Sequence, residues 1–303
     1  MKNIAFIINP ISGTQGNKKK LPKMIAETLD PEQWLWNIVF TEYKGHAIEL
    51  AQQYTIMGFD AIIAVGGDGT INEVARGIIN GEQLAAHHAK GTALGIIPLG
   101  SGNGLARHLG IPVRTQKAIE MLNHSEPILI DYGKANDRIF MSTCGTGFDA
   151  LVAYDFATAG TRGLKTYVSR VMKDLVGYKP ETYRIEINDE VVEHKAFLLT
   201  FANSSQWGYE AKIAPKASVQ DGLMDICMMS PQALLGAPGM ALRLFTGSLD
   251  GSLFMDTFRA KDVMLRRETE SPFHIDGDPV KMDKDIRIRI IPEGLHVLVE
   301  KRF

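Results

Sequence analysis

The stretch Ala64-Val65-Gly66-Gly67-Asp68-Gly69-Thr70-Ile71-Asn72-Glu73 decides the fold, because it joins a strand to a helix through a glycine turn. The run that leads into it, residues 60–65, is apolar and partly β-branched, which is typical of a strand buried on both faces. Glycines lack Cβ, so their amides can approach an anion at a helix N-terminus. Thr70 and Glu73 fit a capping box there. The stretch predicts either a phosphate-binding loop or a tight turn with a solvated aspartate.

Asp68 is the unusual residue of this turn. A carboxylate beside a phosphate is repelled unless a divalent cation lies between them, or unless the carboxylate accepts a proton from an attacking hydroxyl. If the loop binds phosphate, Asp68 is therefore a candidate magnesium-positioning residue or general base.

The composition is that of an ordinary globular protein. The 303 residues, of which 45% are hydrophobic, are enough for two domains with substantial cores. A net charge of −2 gives no overall basic field for nucleic acid. Cys144 and Cys227 lie far apart in apolar segments, so we expect neither a disulfide framework nor a zinc site. With no signal-peptide core and no apolar run of bilayer length, we expect a cytoplasmic protein without a transmembrane segment.

The N-terminal part alternates strand-length apolar runs with helical patterns. Strands are predicted at 4–8, 35–40, 61–65 and 93–97, and Asn80-Gly81 is the predicted end of the helix that follows Gly69. This alternation predicts an α/β domain over residues 1–125, built on an open, mostly parallel sheet with helices on both faces.

Each distinctive loop of this domain follows a predicted strand. The loops are Asn9 to Gly13, Thr41, Gly66 to Thr70, and Gly100 to Asn103. Ligands of open parallel sheets bind at the carboxyl ends of the strands. We therefore expect the loops to converge on one place where backbone amides and small hydroxyls can hold a polyphosphate.

From residue 126 onward, short strands replace the alternation. They are predicted at 128–132, 139–143, 183–187, 191–202, 224–229, 263–267, 286–291 and 295–299. The alternating run Ile286-Arg287-Ile288-Arg289-Ile290 indicates a sheet with one solvated face. We expect a β-rich, sandwich-like domain over residues 126–303. A helix is also predicted at 164–175. Its apolar residues recur at helical spacing, which is typical either of a helix packed on the core or of one that binds a membrane surface.

The ordered set of motifs resembles the catalytic domain of the diacylglycerol kinase and sphingosine kinase family, which includes bacterial lipid kinases. The motifs are Asn9-Pro10-x-Ser12-Gly13, Thr41 with Gly45-His46-Ala47, Gly66 to Glu73, Pro98-Leu99-Gly100-Ser101-Gly102-Asn103, Gly147-Phe148-Asp149-Ala150, Ala214-Pro215, Asp221-Gly222-Leu223-Met224-Asp225 and Asp276-Gly277-Asp278. The resemblance implies that the γ-phosphate of ATP moves to a lipid hydroxyl of diacylglycerol or sphingoid type. It also suggests that the last strand returns to the first domain.

The resemblance implies roles for individual residues in an active site in the cleft between the domains. Asp68, Asp276 and Asp278 would share the tasks of positioning Mg²⁺ and accepting the hydroxyl proton. A structural Mg²⁺ site would form from the Asp221 carboxylate and the carbonyls of Ser218 and Leu223. The nucleotide-binding residues would be Asn9, Ser12, Gly13, Thr41, Gly66, Gly67, Asp68, Gly69, Thr70, Asn72, Ser101, Gly102 and Asn103.

Two places depart from the family pattern. Ser101 and Gly104 stand where bacterial diacylglycerol kinases commonly carry a threonine and an aspartate, which is closer to the sphingosine-kinase-like branch. The usual late Asp-Gly-Glu reads Asp276-Gly277-Asp278, which keeps the charge and shortens its reach.

Two other functions stay open. NAD kinases share the Gly-Gly-Asp-Gly-Thr loop and act on a soluble substrate, although their later motifs are absent here. A catalytically silent lipid or nucleotide sensor on the same fold is compatible with the Asp-Gly-Asp variant. For a lipid kinase, the partner is a lipid at the membrane surface, so the protein would work from the cytoplasm, peripherally at the inner membrane face. A homodimer is compatible with the sequence.

Overall fold

The computed structural model describes residues 1–13, 20–85, 91–158, 175, 177–187 and 190–301. The helix predicted at 164–175 lies outside these residues, apart from Leu175. The chain forms two compact units, one of Met1–Ile130 with Glu293–Phe303 and one of Asp131–Pro292.

The first unit alternates strands with helices. Its elements are β1 (Lys2–Ile8), α1 (Leu21–Thr28), β2 (Trp34–Phe40), α2 (His46–Ile56), β3 (Ala61–Gly66), α3 (Asp68–Ala85), β4 (Ala93–Pro98), α4 (Gly104–His108) and α5 (Thr115–Leu122). The described strands run in the order β2-β1-β3-β4, and every neighbouring pair is parallel. The predicted open, mostly parallel sheet is confirmed.

The strand order creates a switch point between β1 and β3, because the chain leaves β1 first toward β2 and later returns to the other side of β1. Open α/β sheets bind ligands outside the carboxyl ends of their strands at such a point. The loops after β1 and β3 are therefore in the position where this architecture places a ligand. Behind them, Ile4, Phe6 and Ile8 are fully buried and pack with residues of α1 and α5.

Helix α3 passes through Asn80-Gly81 and continues to Ala85, so the predicted helix end is wrong. A Cβ added to Gly77 would lie 2.5 Å from Ala51 Cβ, and one added to Gly81 would lie 2.6 Å from Thr55 Cβ. Residues four apart share one face of a helix. The two glycines therefore let α3 pack closely on α2, and they do not end the helix.

The second unit is mainly β-structure. Its elements are β5 (Ser125–Ala135, which begins in the first unit), β6 (Arg138–Phe140), β7 (Thr143–Gly147), α6 (Phe148–Thr158), β8 (Glu181–Ile187), β9 (Glu190–Ala196), β10 (Leu198–Ala202), β11 (Gln206–Gly208), β12 (Ala211–Lys212), β13 (Met224–Met229), α7 (Ala237–Thr246), β14 (Met255–Ala260), β15 (Asp262–Arg267), β16 (Phe273–Ile275), β17 (Asp278–Val280) and β18 (Asp285–Glu300, which ends in the first unit). Two 3₁₀ turns cover Pro231–Gly236 and Leu249–Gly251.

Two antiparallel layers form this unit. One layer has the order β14-β13-β10-β7-β16-β17, and the other pairs β18 with β15, β15 with β8, and β8 with β9. Their shared core contains Phe140, Tyr183 and Phe201. The isoleucines of the run 286–290 are buried, whereas Arg287 is exposed and bonds Asp262. The sandwich-like domain and its solvated face are confirmed.

Two long strands differ from the prediction. The segment 191–202 is two strands, β9 and β10, whereas 286–299 is the single strand β18, whose last part lies parallel to β4 with Val297 opposite Leu94. The strand predicted at 139–143 was wrong, because β6 ends at Phe140 and β7 begins only at Thr143, and strands β11, β12, β14, β16 and β17 were not predicted. Most of them have only two or three residues, which is too few to show a period of two.

The described helices of the second unit cover the six-stranded layer. Phe148 and Val152 of α6 and Met240 of α7 belong to one buried cluster with Phe197 and Leu198. Across the described ranges, no helix has both the length and the apolar character needed to span a bilayer.

The close contact between α2 and α3 gives a stability prediction. Gly77→Ala is expected to destabilise the protein by about 1–3 kcal/mol, because the added methyl group overlaps Ala51. This cost outweighs the better helix propensity of alanine, which is about 1 kcal/mol. Urea unfolding measures the difference.

Gly239→Ala is the matched control, since a Cβ on Gly239 in α7 would have no neighbour within 4 Å. We expect this variant to unfold at the wild-type urea concentration or above it. If Gly77→Ala behaves in the same way, the two helices are not in tight contact.

Candidate active site

Three of the predicted loops meet at the carboxyl end of the first sheet. Asn9 Nδ2 donates to Thr70 Oγ1 at 3.1 Å, and the Asn9 amide donates to the Val65 carbonyl at 3.0 Å. A Cβ on Gly100 would lie 2.7 Å from Gly67 Cα, so the two glycine loops touch backbone to backbone. The structure therefore brings together the loops after β1, β3 and β4.

Gly13 brings the loop after β1 against the loop after β4. Its φ is +70°, and an added Cβ would lie 3.0 Å from the Leu99 carbonyl oxygen. The Leu99 amide in turn donates to the Gly66 carbonyl at 2.7 Å. Only a glycine combines this left-handed backbone with so close an approach.

Asp68 binds the loop after β4 with both carboxylate oxygens. Oδ2 accepts the Asn103 amide at 2.9 Å, and Oδ1 accepts the Gly104 amide at 2.8 Å. Asn103 precedes α4 in a left-handed conformation and provides no side-chain cap for it. The first amides of a helix lack partners within the helix. Asp68 therefore supplies from α3 the acceptor that α4 needs.

The predicted capping box is wrong. Helix α3 begins at Asp68, so Thr70 lies inside its first turn and accepts a hydrogen bond from Asn9. Glu73 Oε1 accepts the amide of Gly45 at 3.0 Å. Gly45 precedes α2 with a φ of +94°. Glu73 therefore fixes the start of a neighbouring helix and does not cap its own.

The other predicted nucleotide-binding residues of this unit differ in exposure. Gly69 and Ser101 are exposed, and Gly102 is partly buried. The side chains of Ser12, Thr41 and Asn72 are buried, and the Thr41 amide donates to the carbonyl of Ile8 at 2.9 Å. The exposed glycine and serine therefore offer the accessible backbone of the two glycine loops.

Arg107 was not predicted as a site residue. Its Nε donates to the Gly102 carbonyl at 3.2 Å, which fixes a cation to the second glycine loop. The signal in the sequence was a basic residue one helical turn after Asn103. His108 is no second cation, because burial lowers its pKa.

In the second unit, Asp276 and Gly277 form a tight hairpin turn between β16 and β17. Both have positive φ, 49° and 82°, and Ile275 pairs with Asp278 across the turn. These are the features of a type I′ turn, which Asp-Gly favours. The turn therefore sets the positions of the two late acids of the sequence motif.

These two acids have different surroundings. The Asp276 carboxylate accepts the amides of Met141, Ser142 and Thr143 at 2.8, 2.7 and 3.0 Å. Asp278 is exposed at the start of β17. Asp276 therefore ties the turn to the segment before β7, while the Asp278 carboxylate lies at the surface of its unit.

The residues of the predicted structural metal site lie on a loop before β13. Asp221 Oδ1 accepts the Leu223 amide at 3.1 Å, and Ser218 Oγ accepts the Gln220 amide at 3.2 Å. The Nη1 atom of Arg259 lies 3.5 Å from Oδ2 of Asp221. Among the described residues, no group of three His, Cys, Asp or Glu side chains could hold a metal ion. The predicted set is of another kind, with one carboxylate and backbone carbonyls, and hard divalent cations accept such a mixture.

A cysteine nucleophile is not expected in this unit. Burial raises the pKa of the Cys144 thiol, and the charges of Asp276 and Asp149 raise it further. The thiolate is the reactive form of cysteine, so this thiol stays neutral and inert.

Comparison with known proteins covers nearly the whole chain. Residues 3–135 match the diacylglycerol kinase catalytic domain, and residues 142–299 match the YegS C-terminal NAD kinase beta sandwich-like domain. A diacylglycerol kinase of Bacillus subtilis (strain 168) is 30% identical over 287 residues, which is 92% of this chain and 90% of that protein. The chain belongs to the diacylglycerol kinase family of lipid kinases. As a member of this kinase family, it is a phosphotransferase.

Two further proteins are similar to this chain. A protein of Chromohalobacter salexigens that is named as a YegS-like lipid kinase is 28% identical over 253 residues, which is 83% of this chain and 79% of that protein. The crystal structure of a diacylglycerol kinase from Bacillus anthracis (strain Sterne) superposes with a TM-score of 0.74 over 98% of this chain and 97% of that chain, at 21% identity. This second likeness shows the fold.

The contrast between the two late acids gives a stability prediction. Asp276→Ala is expected to destabilise the protein by about 2–4 kcal/mol, because three backbone amides lose a charged acceptor and alanine is strained at positive φ. Denaturant unfolding of the purified variant measures the loss.

Asp278→Ala removes the same charge two residues away and is the control. As an exposed substitution, it should change stability by less than about 0.5 kcal/mol. Equal losses in the two variants would contradict the structural role given to Asp276.

Proposed function

We propose that the protein transfers the γ-phosphate of ATP to the hydroxyl of a lipid of diacylglycerol or sphingoid type. One observation carries the proposal: Asp68 fixes the loop after β4 to the glycine turn after β3, next to the switch point of the domain that matches the family's catalytic domain. Phosphoryl transfer needs positioning and charge neutralisation more than covalent chemistry. Two glycine loops held in one geometry are suited to that task.

The backbone of the first unit would bind the phosphates. Glycine amides at a helix N-terminus attract anions, and α3 begins directly after Gly67. The exposed Gly69 and Ser101 would offer an amide and a hydroxyl, and Arg107 would add a positive charge beside Gly102. The residues proposed for the nucleotide are those of the sequence motifs: Asn9, Ser12, Gly13, Thr41, Gly66, Gly67, Asp68, Gly69, Thr70, Asn72, Ser101, Gly102 and Asn103.

The three acids would divide their tasks by their surroundings. Asp68 accepts two backbone amides, so it would shape the phosphate site, and its carboxylate would hold Mg²⁺ directly or through water. Mg²⁺ supplies neutralisation of the phosphate charge when bound. Asp278 is exposed and is the proposed acceptor of the lipid hydroxyl proton. Asp276 would act indirectly, by fixing the turn before Asp278.

A second cation would have a structural task. Asp221, with the carbonyls of Ser218 and Leu223, offers hard oxygen ligands within one loop. The Gly222 amide donates to Asp131 Oδ2 at 2.7 Å, which ties this loop to strand β5. We propose that a bound Mg²⁺ holds the loop and takes no part in the transfer.

The protein would act from the cytoplasm on a lipid presented at the membrane surface. The family's lipid-kinase names support a lipid acceptor, and diacylglycerol, sphingoid bases and other lipid alcohols share the hydroxyl that the reaction needs.

Release of ADP should depend on a lipid. We expect turnover with one member of a panel of diacylglycerol, sphingoid base, ceramide and polyprenol in mixed micelles, and none with NAD. Asp68→Asn should lower this turnover by about 100-fold or more, because misplaced phosphates lose the aligned geometry. Asp262→Asn, which alters an exposed ion pair with Arg287, is the control and should retain wild-type turnover.

Each alternative has its own result in this assay. Near-wild-type turnover by Asp68→Asn would remove Asp68 from the mechanism. Phosphorylation of NAD alone would make the protein a soluble-substrate kinase. Nucleotide binding without turnover on any lipid would make it a sensor.

A further inference from the structure

A buried histidine–carboxylate pair lies beside the Asp276-Gly277 turn. His274 in β16 is 3% exposed, and its Nε2 lies 3.1 Å from Asp149 Oδ2. Thr200 Oγ1 donates to the same carboxylate oxygen at 2.8 Å, and the Ala150 amide donates to Oδ1 at 2.8 Å. The Asp149 carboxylate is therefore held in place independently of the histidine.

The packing around this pair leaves no room for another side chain. A Cβ on Gly145 would lie 3.0 Å from Asp149 Oδ2 and 3.1 Å from His274 Nε2. Gly145 stands opposite His274 in the pairing of β7 with β16. The sequence thus places a glycine at a position of β7 where a Cβ would crowd both groups of the pair.

The other ring nitrogen of His274 accepts the backbone amide of Gly277. The distance from the Gly277 nitrogen to Nδ1 is 3.3 Å. A backbone N–H can only donate, so Nδ1 is the acceptor and the proton of the neutral ring is on Nε2. That N–H then donates to Asp149. Asp149 therefore selects the tautomer of His274 that can bind the turn.

Both residues of the turn are anchored, and Asp276 is also held through its backbone, since its amide donates to the Thr143 carbonyl at 2.8 Å. The Asp276 carboxylate bonds the amides of residues 141–143, and the Gly277 amide bonds His274. Asp278 follows immediately and opens β17. The backbone direction at Gly277 fixes where the Asp278 side chain begins.

We infer that His274, oriented by Asp149, is a positioning residue that holds the Gly277 amide and so sets the position of the Asp278 carboxylate. The inference rests on the proposed role of Asp278 as proton acceptor. The motif Gly147-Phe148-Asp149-Ala150 then has a purpose in this chain, since its aspartate acts on the late motif through His274.

Two amide substitutions separate this role from simple packing. His274→Asn keeps an acceptor near the position of Nδ1 and loses the group near Nε2, whereas His274→Gln keeps a group near Nε2 and loses the acceptor at Nδ1. Hydrogen–deuterium exchange of the peptide containing Gly277 reports the anchor directly, without any substrate. Turnover of the lipid identified by the panel assay reports its consequence.

In His274→Gln, the Gly277 amide should exchange about tenfold faster than in wild type, since it has lost its partner. The kcat of this variant should fall about tenfold while the KM for ATP stays within about twofold, as expected for an effect on the transfer step. In His274→Asn, the Gly277 amide should exchange at the wild-type rate, and kcat should stay within about threefold of the wild-type kcat.

Equal losses in both variants, with lowered unfolding midpoints, would show that His274 only fills space and would overturn the inference. Wild-type exchange in His274→Gln would overturn it as well. A wild-type protein that turns over no lipid would refute the proposed function, and the exchange rates would still decide whether His274 anchors the turn.

Discussion

The two hydrogen bonds from the Asn103 and Gly104 amides to the Asp68 carboxylate are the contact on which the candidate site depends. Hydrogen bonds to a charged group each contribute about 1.5–3 kcal/mol. They connect loops that are separated by more than thirty residues in the chain and cap a helix that offers no cap of its own. The absence of side chains at Gly67 and Gly100 lets the two backbones come close enough for these bonds.

This contact changes how the acid in the glycine turn is understood. The sequence predicts that Asp68 is a magnesium ligand or a base, because a carboxylate beside a phosphate is otherwise repelled. In the structure, it has a third task, which is to hold the backbone of the second glycine loop. A residue that shapes the surface for an anion and also carries charge beside it couples the geometry of the site to its electrostatics.

Sequence patterns predicted the features that depend on residues close together in the chain. The buried strands of the first unit, the alternating run at 286–290 and the order of the motifs follow from residues close together in the chain. The partners of Glu73 and of Gly77 could not be predicted, because Gly45 precedes another helix and Ala51 lies within it. The same holds for the two late acids: their difference comes from the amides of residues 141–143, which lie far from them in sequence. The Asp276-Gly277 hairpin was missed although it has a local signal, since Asp-Gly favours a type I′ turn.

We propose that Asp68 holds the two glycine loops together as the phosphate-binding surface of a kinase. The decisive experiment is a crystal structure with a non-hydrolysable ATP analogue and Mg²⁺. We expect the phosphates to contact the backbone of residues 66–70 and 100–102 while the Asp68 carboxylate keeps its bonds to Asn103 and Gly104. Phosphates bound away from these loops, or an Asp68 side chain turned away from both amides, would contradict it.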